Sequence, residues 1–216
     1  MASKSTSEAM SIAADDGKEP SVAAADPVQP AAAAESAPAP APAAAVAPSG
    51  HRVQLLGSGT ILREVIAAAE LLETDYGVFA DVWSVTSFTE LARDGMDVER
   101  HNRLHPEADP RSSYVHQQLA SSEGPIIAAT DYVRIHADQI RAHLPAGRLY
   151  TVLGTDGFGR SDTRANLRRF FEVDRYYVAT AALSALAAEG AIKPAVVADA
   201  LKRYGVDVEK ANPMTV

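Results

Sequence analysis

The segment from Leu153 to Asp162 has the least generic residue pattern in this sequence, and it reads Leu-Gly-Thr-Asp-Gly-Phe-Gly-Arg-Ser-Asp. Its three glycines and Phe158, which is expected to be buried, fix a sharp backbone path. Arg160 together with the amides before the next helix could bind a carboxylate or a phosphate. A structural role is the alternative, in which Ser161 or Asp162 caps that helix and Arg160 pairs with an acid across a subunit contact. The candidate interface or anion-binding turn therefore consists of Asp156, Gly157, Gly159, Arg160 and Ser161.

Two other short motifs resemble parts of binding sites, but each lacks the further residues that such a site needs. Gly57-Ser58-Gly59 follows an apolar run, as in a dinucleotide-binding turn, yet Leu62 stands where the third glycine belongs, so close packing of the turn is the better account. His101 and His105 are four residues apart on a predicted helix and could face one metal, but two ligands do not make a site. No Gly-x-Ser-x-Gly elbow occurs either. We therefore predict no catalytic, cofactor-binding or metal-binding residue.

These residues are predicted to lie on alternating strands and helices. Four apolar runs, some rich in β-branched residues, predict strands, and the segments between them repeat apolar residues at helical spacing. In the first helix Glu64 falls on the polar face, while Ser87 with Glu90 and Asp131 are predicted to begin later helices. The fold class is therefore a three-layer α/β/α sandwich with a mostly parallel sheet of four to five strands. The predicted strands are 53–56, 78–85, 126–129 and 149–153, and the predicted helices are 61–72, 87–104, 131–144, 162–171, 174–189 and 194–204.

Composition divides the chain near residue 50. Residues 1–50 hold 7 of the 13 prolines and none of the 13 aromatic residues, so they cannot bury enough apolar surface to offset the entropy of ordering. We expect a disordered Ala/Pro-rich tail or linker there. Residues 51–216 are enough for a single core.

Charge and residue usage exclude several classes of protein. The net charge is −8 and no run of five or more Lys or Arg occurs, so nucleic acid is not an expected partner. The sequence has no cysteine, which excludes disulfides and thiolate chemistry. No apolar run is long enough to span a membrane, and the first twenty residues lack the apolar core of a signal peptide. The cytoplasm is the expected compartment.

Residues 53–216 closely resemble the C-terminal domain of the homodimeric bacterial pyruvate dehydrogenase E1 component, a member of the transketolase superfamily. The resemblance covers many segments in the order found in that family. It rests on 53–59, 75–78, 84–95, Asn102, 104–106, 130–132, 153–162, 171–174 and 212–213.

The resemblance implies a transketolase-like domain of an enzyme that uses thiamine diphosphate and Mg²⁺. In that family two other domains hold the cofactor, and the Gly-Asp-Gly…Asn motif for the diphosphate does not occur in this sequence. We therefore expect no cofactor in this chain and no activity from the chain alone. The expected partners are E1 cofactor-binding domains, a second copy of the chain, or other components of the pyruvate dehydrogenase complex. The alternatives are a non-catalytic assembly or regulatory module and a decayed gene fragment.

Overall fold

The computed structural model describes residues 50–216. The expected disordered tail, residues 1–50, lies outside that range except for Gly50. The described segment contains four strands, and seven α-helices and two short 3₁₀ turns connect them or follow them. The helices are α1 Leu62–Tyr76, α2 Phe88–Leu104, α3 Tyr114–Leu119, α4 Ile135–Asp138, α5 Arg164–Phe170, α6 Arg175–Ala188 and α7 Pro194–Arg203. No helix among these residues is both long enough and apolar enough to cross a membrane.

The four strands form one parallel sheet in the order β2-β1-β3-β4. They span Arg52–Gly57 (β1), Phe79–Ser84 (β2), Ile126–Ala129 (β3) and Tyr150–Leu153 (β4). In register, Leu55 lies beside Val82 on one side and beside Ile127 on the other. Because every pair is parallel, the carboxyl ends of all four strands lie at the same edge of the sheet.

The helices cover both faces of the sheet, because alternate residues along β1 and β3 point to opposite sides. Leu55 and Ile127 are buried in a core with α1, α6 and α7, whereas Leu56 and Ile126 are buried in a second core with α2 and α3. This arrangement confirms the predicted three-layer α/β/α sandwich, with four strands.

Most element boundaries follow from local sequence. The Ser87 side chain accepts a hydrogen bond from the Glu90 amide at the start of α2, and Pro194 occupies the first turn of α7, as predicted. The prediction of one long helix after Asp131 was wrong, because a four-residue helix and a separate 3₁₀ turn replace it. Arg134 occupies the N-cap position, and its side chain forms no capping hydrogen bond. Helix α3 was not predicted.

Candidate functional site

The candidate site lies at the carboxyl edge of the sheet, where the loops after β1, β3 and β4 meet. Strand β1 is flanked by β2 on one side and β3 on the other, and the helices that follow β1 and β2 pack on opposite faces. The crevice between β1 and β3 is therefore a topological switch point, the place where parallel α/β sheets generally bind ligands.

Hydrogen bonds donated by hydroxyl groups connect these loops. Ser58 Oγ donates to Thr130 Oγ1 at 3.0 Å, which joins the loops after β1 and β3. Thr60 Oγ1 donates to Asp131 Oδ2 at 3.2 Å, and Thr155 Oγ1 donates to the carbonyl oxygen of Asp131 at 2.8 Å. Asp131 thus connects all three loops, a tertiary role that explains why it does not cap a helix.

The candidate turn begins with two residues that fix its path. Asp156 accepts hydrogen bonds from the backbone amide and the Nε of Arg134, which ties the loop after β4 to the loop after β3. Gly157 has φ +105°, and a Cβ there would lie 2.2 Å from the carbonyl oxygen of Pro213. Only glycine therefore fits against the C-terminal segment at this point.

Between the glycines, the turn exposes a large aromatic side chain. Phe158 was predicted to be buried, but the structure exposes it to 77%. In the neighbouring segment after β3, Tyr132 is 67% exposed and Ile135, the first residue of α4, is 60% exposed. We call Tyr132, Ile135 and Phe158 the loop-edge patch. Exposed aromatic and aliphatic groups on loops that hydrogen bonds hold in place are typical of protein–protein contacts.

The second half of the turn positions a guanidinium group. Arg160 lies over the ring of Phe170, with Cζ 4.3 Å from the ring centroid, and Ser161 is exposed. The cap of α5 is Thr163, whose Oγ1 accepts from the Asn166 amide, so the predicted capping by Ser161 or Asp162 was wrong. Asp162 instead accepts from Asn166 Nδ2 and the Thr163 amide, and these bonds lower the pKa of its carboxyl group.

The turn forms one wall of a cleft of about 490 Å³, which we call the arginine cleft. Arg160, Arg164 and Arg168 line it, and Ile61, Leu167 and Phe171 supply its apolar surface. A cleft of this size is within the usual range for a small-molecule site.

A buried cluster of ion pairs holds one of the arginines that line the cleft. Glu64, 5% exposed on α1, accepts from Arg168 at 2.8 Å and from Arg175 Nε at 3.0 Å. Burial alone would raise the pKa of Glu64, but the hydrogen bonds and charge of Arg175, together with the charge of Arg168, lower it overall. Glu64 was predicted to lie on the polar face of its helix, whereas the structure buries it. No local pattern could have revealed this, because its partners lie more than a hundred residues further along the chain.

The remaining motifs have structural roles. A Cβ on Gly57 would lie 2.9 Å from Leu62 Cα, so close packing accounts for this glycine, as predicted. The rings of His101 and His105 stack with centroids 4.3 Å apart and an interplanar angle of 16°, so the two imidazoles do not converge on one ion.

The side chains of the described segment do not fit the metal-bound cofactor that the resemblance implies. No three His, Asp or Glu residues between positions 50 and 216 are grouped as metal ligands. In the arginine cleft, the two carboxylates that line it, Asp131 and Asp162, already accept hydrogen bonds from Thr60 and from Thr163 and Asn166. The groups that the cleft offers besides these two carboxylates are arginine, hydroxyl and apolar side chains.

Comparisons with known proteins agree with this fold. The family described as the transketolase-like TK C-terminal domain matches residues 43–174, more than half of the chain. The pyruvate dehydrogenase E1 component of Cupriavidus necator is 64% identical over 165 residues, which cover 76% of this chain and 18% of that protein. The corresponding proteins of Pseudomonas aeruginosa and Escherichia coli K12 are 60% identical over 166 residues and 57% identical over 162, covering 77% and 75% of this chain. The chain thus spans less than a fifth of the length of these relatives, at 18% to 19%.

Proposed function

This chain belongs to the family of transketolase-like C-terminal domains, and we propose that residues 51–216 serve as the C-terminal domain of a pyruvate dehydrogenase E1 component. In this role the domain does not bind the cofactor. It docks onto domains that hold thiamine diphosphate and Mg²⁺, and the resulting assembly decarboxylates pyruvate oxidatively and acetylates lipoyl groups. The proposed compartment is the cytoplasm.

One observation carries the proposal: an identity of 64% over 165 residues with a protein named as this component. The 165 matched residues are about as many as the proposed domain contains. The match covers 18% of that relative, so the activity of the whole relative is part of the proposal.

The loop-edge patch is the proposed docking surface, with Arg160 as its charged group. Phe158 and Tyr132 offer rigid aromatic area, and the Arg134–Asp156 ion pair holds the two loops that carry them. Aromatic residues and arginine are the groups that most often carry the binding energy of an interface. Arg160→Ala should therefore weaken assembly more than it weakens folding, so the affinity for the partner should fall while the melting temperature changes little.

Complementation tests the proposal directly. The full chain is mixed with a pyruvate dehydrogenase E1 component truncated before its last domain, and pyruvate-dependent acetyl transfer is measured. We expect activity well above that of the truncated protein alone. The proposal would be rejected if activity did not rise although circular dichroism showed that both proteins were folded.

Cofactor titration supplies the complementary test. Calorimetry of the purified chain with micromolar thiamine diphosphate and Mg²⁺ should show no saturable heat, because the described segment groups no ligands for the metal. Saturable heat with near-unit stoichiometry would show that the chain holds the cofactor itself.

A non-catalytic assembly module is the second candidate, and the exposure of the loop-edge patch favours it. In that case the chain associates with itself or with a complete E1 component but does not restore activity to a truncated one. Light scattering and a pull-down with intact E1 distinguish the two. A strictly monomeric chain that binds neither form leaves the decayed gene fragment as the remaining interpretation.

A further inference from the structure

The arginine cleft contains two arginines that form no ion pair with a described residue, although two carboxylates, Asp131 and Asp162, also line it. Eight arginines of the described segment form ion pairs with acids: Arg52, Arg93, Arg134, Arg141, Arg168, Arg169, Arg175 and Arg203. Arg160 and Arg164 line the cleft and pair with no acid between residues 50 and 216. Arg160 is nevertheless held in place, because its guanidinium group stacks on Phe170.

Arg168 gives the cleft a third guanidinium group in a fixed position. Its Nη1 donates to Glu64 at 2.8 Å, and its side chain is 17% exposed. Glu64 is fixed in turn by Arg175, so this wall of the cleft is rigid. A guanidinium group held by one carboxylate keeps further donors free for a second oxyanion.

The opposite wall of the cleft offers hydrogen-bond acceptors and hydroxyl groups. Asp131 accepts from Thr60 through Oδ2, and no described residue donates to its Oδ1. Thr60 and Thr155 line the same wall. A carboxylate oxygen at the end of a strand that accepts from no residue is suited to a ligand hydroxyl, the role that acids take beside sugars in other parallel α/β sheets.

The base of the cleft is apolar. Ile61 and Val173 are almost completely buried there, and Leu167 and Phe171 are partly exposed beside them. The carbon skeleton of a ligand could cover the exposed parts of Leu167 and Phe171. A bare inorganic anion would leave those parts in contact with water and would make no use of Asp131.

Because one wall of the arginine cleft carries arginines, the opposite wall carries hydrogen-bond acceptors and hydroxyl groups, and the base is apolar, we propose that the cleft binds a small organic phosphate that also carries hydroxyl groups. Arg160 and Arg164 hold the phosphate as charge-assisted donors, Asp131 accepts from a hydroxyl group, and the apolar base packs against the carbon chain. The site lies at the switch point of the sheet and requires no partner chain, and Arg160 is the residue that it shares with the proposed docking surface.

The test is an NMR titration of the full chain with glucose 6-phosphate, monitored at the amides of the turn. We expect saturable shifts that glucose does not produce, since glucose lacks the phosphate. Inorganic phosphate should bind more weakly than glucose 6-phosphate, and so should tartrate, a hydroxylated dicarboxylate. Equal affinity for glucose 6-phosphate and for any of these three probes would overturn the assignment, and so would the absence of saturation at millimolar concentration.

Variants locate the site. Arg164→Gln should raise the Kd of glucose 6-phosphate about tenfold or more, because it removes a charge-assisted contact. Arg103→Gln is the matched control, because Arg103 is also exposed on a helix and pairs with no acid of the described segment, but lies on α2. Equal effects of the two substitutions would contradict the proposal. Glucose 6-phosphate binding does not depend on complementation of a truncated E1, so the two proposals can fail separately.

Discussion

The α1–α6–α7 face and the carboxyl edge of the sheet use arginine in opposite ways. On the helical face, Arg175 and Arg203 pair with the buried carboxylates of Glu64 and Asp75, so these carboxylates neutralise their charge. At the carboxyl edge Arg134 pairs with Asp156, but Arg160 and Arg164 pair with no acid of the described segment. The charges of the first region stabilise the domain, whereas those of Arg160 and Arg164 are available to a ligand or a partner.

Apolar groups follow the same division. Leu72, Val178 and Leu183 are completely buried on the helical face, whereas Tyr132 and Phe158 at the carboxyl edge are more than 60% exposed, at 67% and 77%. Hydrogen bonds between loops hold the edge in place. Substitutions on the helical face should therefore change the free energy of unfolding, and substitutions at the edge should change binding.

The largest effect is expected for Glu64→Gln. The substitution leaves Arg168 and Arg175 without their carboxylate, and the expected cost is about 2 kcal/mol, less than for a fully buried pair because the Arg175 side chain is 44% exposed. Urea denaturation should show this loss as a lower midpoint with an unchanged slope. Glu90→Gln is the control, because Glu90 pairs with Arg93 in an exposed contact and should change stability by less than about 1 kcal/mol. Equal losses of unfolding free energy in the two variants would show that the buried ion pairs of Glu64 stabilise the domain no more than an exposed pair does.

The contribution of Glu64 should also depend on pH. Its pKa in the folded chain is lowered from 4.5, the value that applies to the unfolded chain. The stabilisation is therefore fully present above the unfolded pKa and is lost as the pH falls through the folded pKa. The stability difference between the natural chain and Glu64→Gln should be constant near neutral pH and shrink below about pH 4.5. A difference that grew on acidification would contradict the assigned charge state.

The contrast between the two regions also explains which parts of the structure could be predicted. Strand β3 occupies Ile126–Ala129 as expected, and Ser87 begins α2, because apolar runs and caps act over a few residues. Helix α3 was missed because Val115 and Leu119 are its only buried apolar residues, too few to reveal a helical period. The interruption after Asp131 and the burial of Glu64 depend on partners far away in the sequence.

Within the candidate site, the turn could be identified from its composition but its contacts could not. Three glycines and Arg160 single out the segment, whereas the contact of Gly157 with Pro213 and the bond of Thr60 to Asp131 exist only in the folded chain. The arginine cleft follows from the same long-range contacts. Arg168 lies outside the turn, and nothing in the local sequence assigns it to the cleft.

A smaller loss is expected for Tyr204→Phe on the helical face. The Tyr204 hydroxyl donates to Asp75 Oδ2 at 2.8 Å, and both residues are buried. Removing this donor should cost about 1.5 kcal/mol, because a charged acceptor loses one of its partners. Tyr114→Phe is the matched control, since Tyr114 is 57% exposed and its loss of a hydroxyl should not change the unfolding midpoint. A smaller loss for Tyr204→Phe than for Tyr114→Phe would show that the buried network contributes nothing.

The smallest effect on stability, and the largest on association, is expected for Phe158→Ser. Its ring is 77% exposed, so the substitution removes little buried surface and should change the free energy of unfolding by less than about 0.5 kcal/mol. If the loop-edge patch is the docking surface, the same change should reduce the affinity for truncated E1 at least tenfold in a complementation titration. Val208→Ser is the control, because Val208 is 66% exposed in a loop outside the patch. Equal affinities of the two variants would mean that Phe158 is exposed without contacting a partner, and the carboxyl edge would then act through the arginine cleft alone.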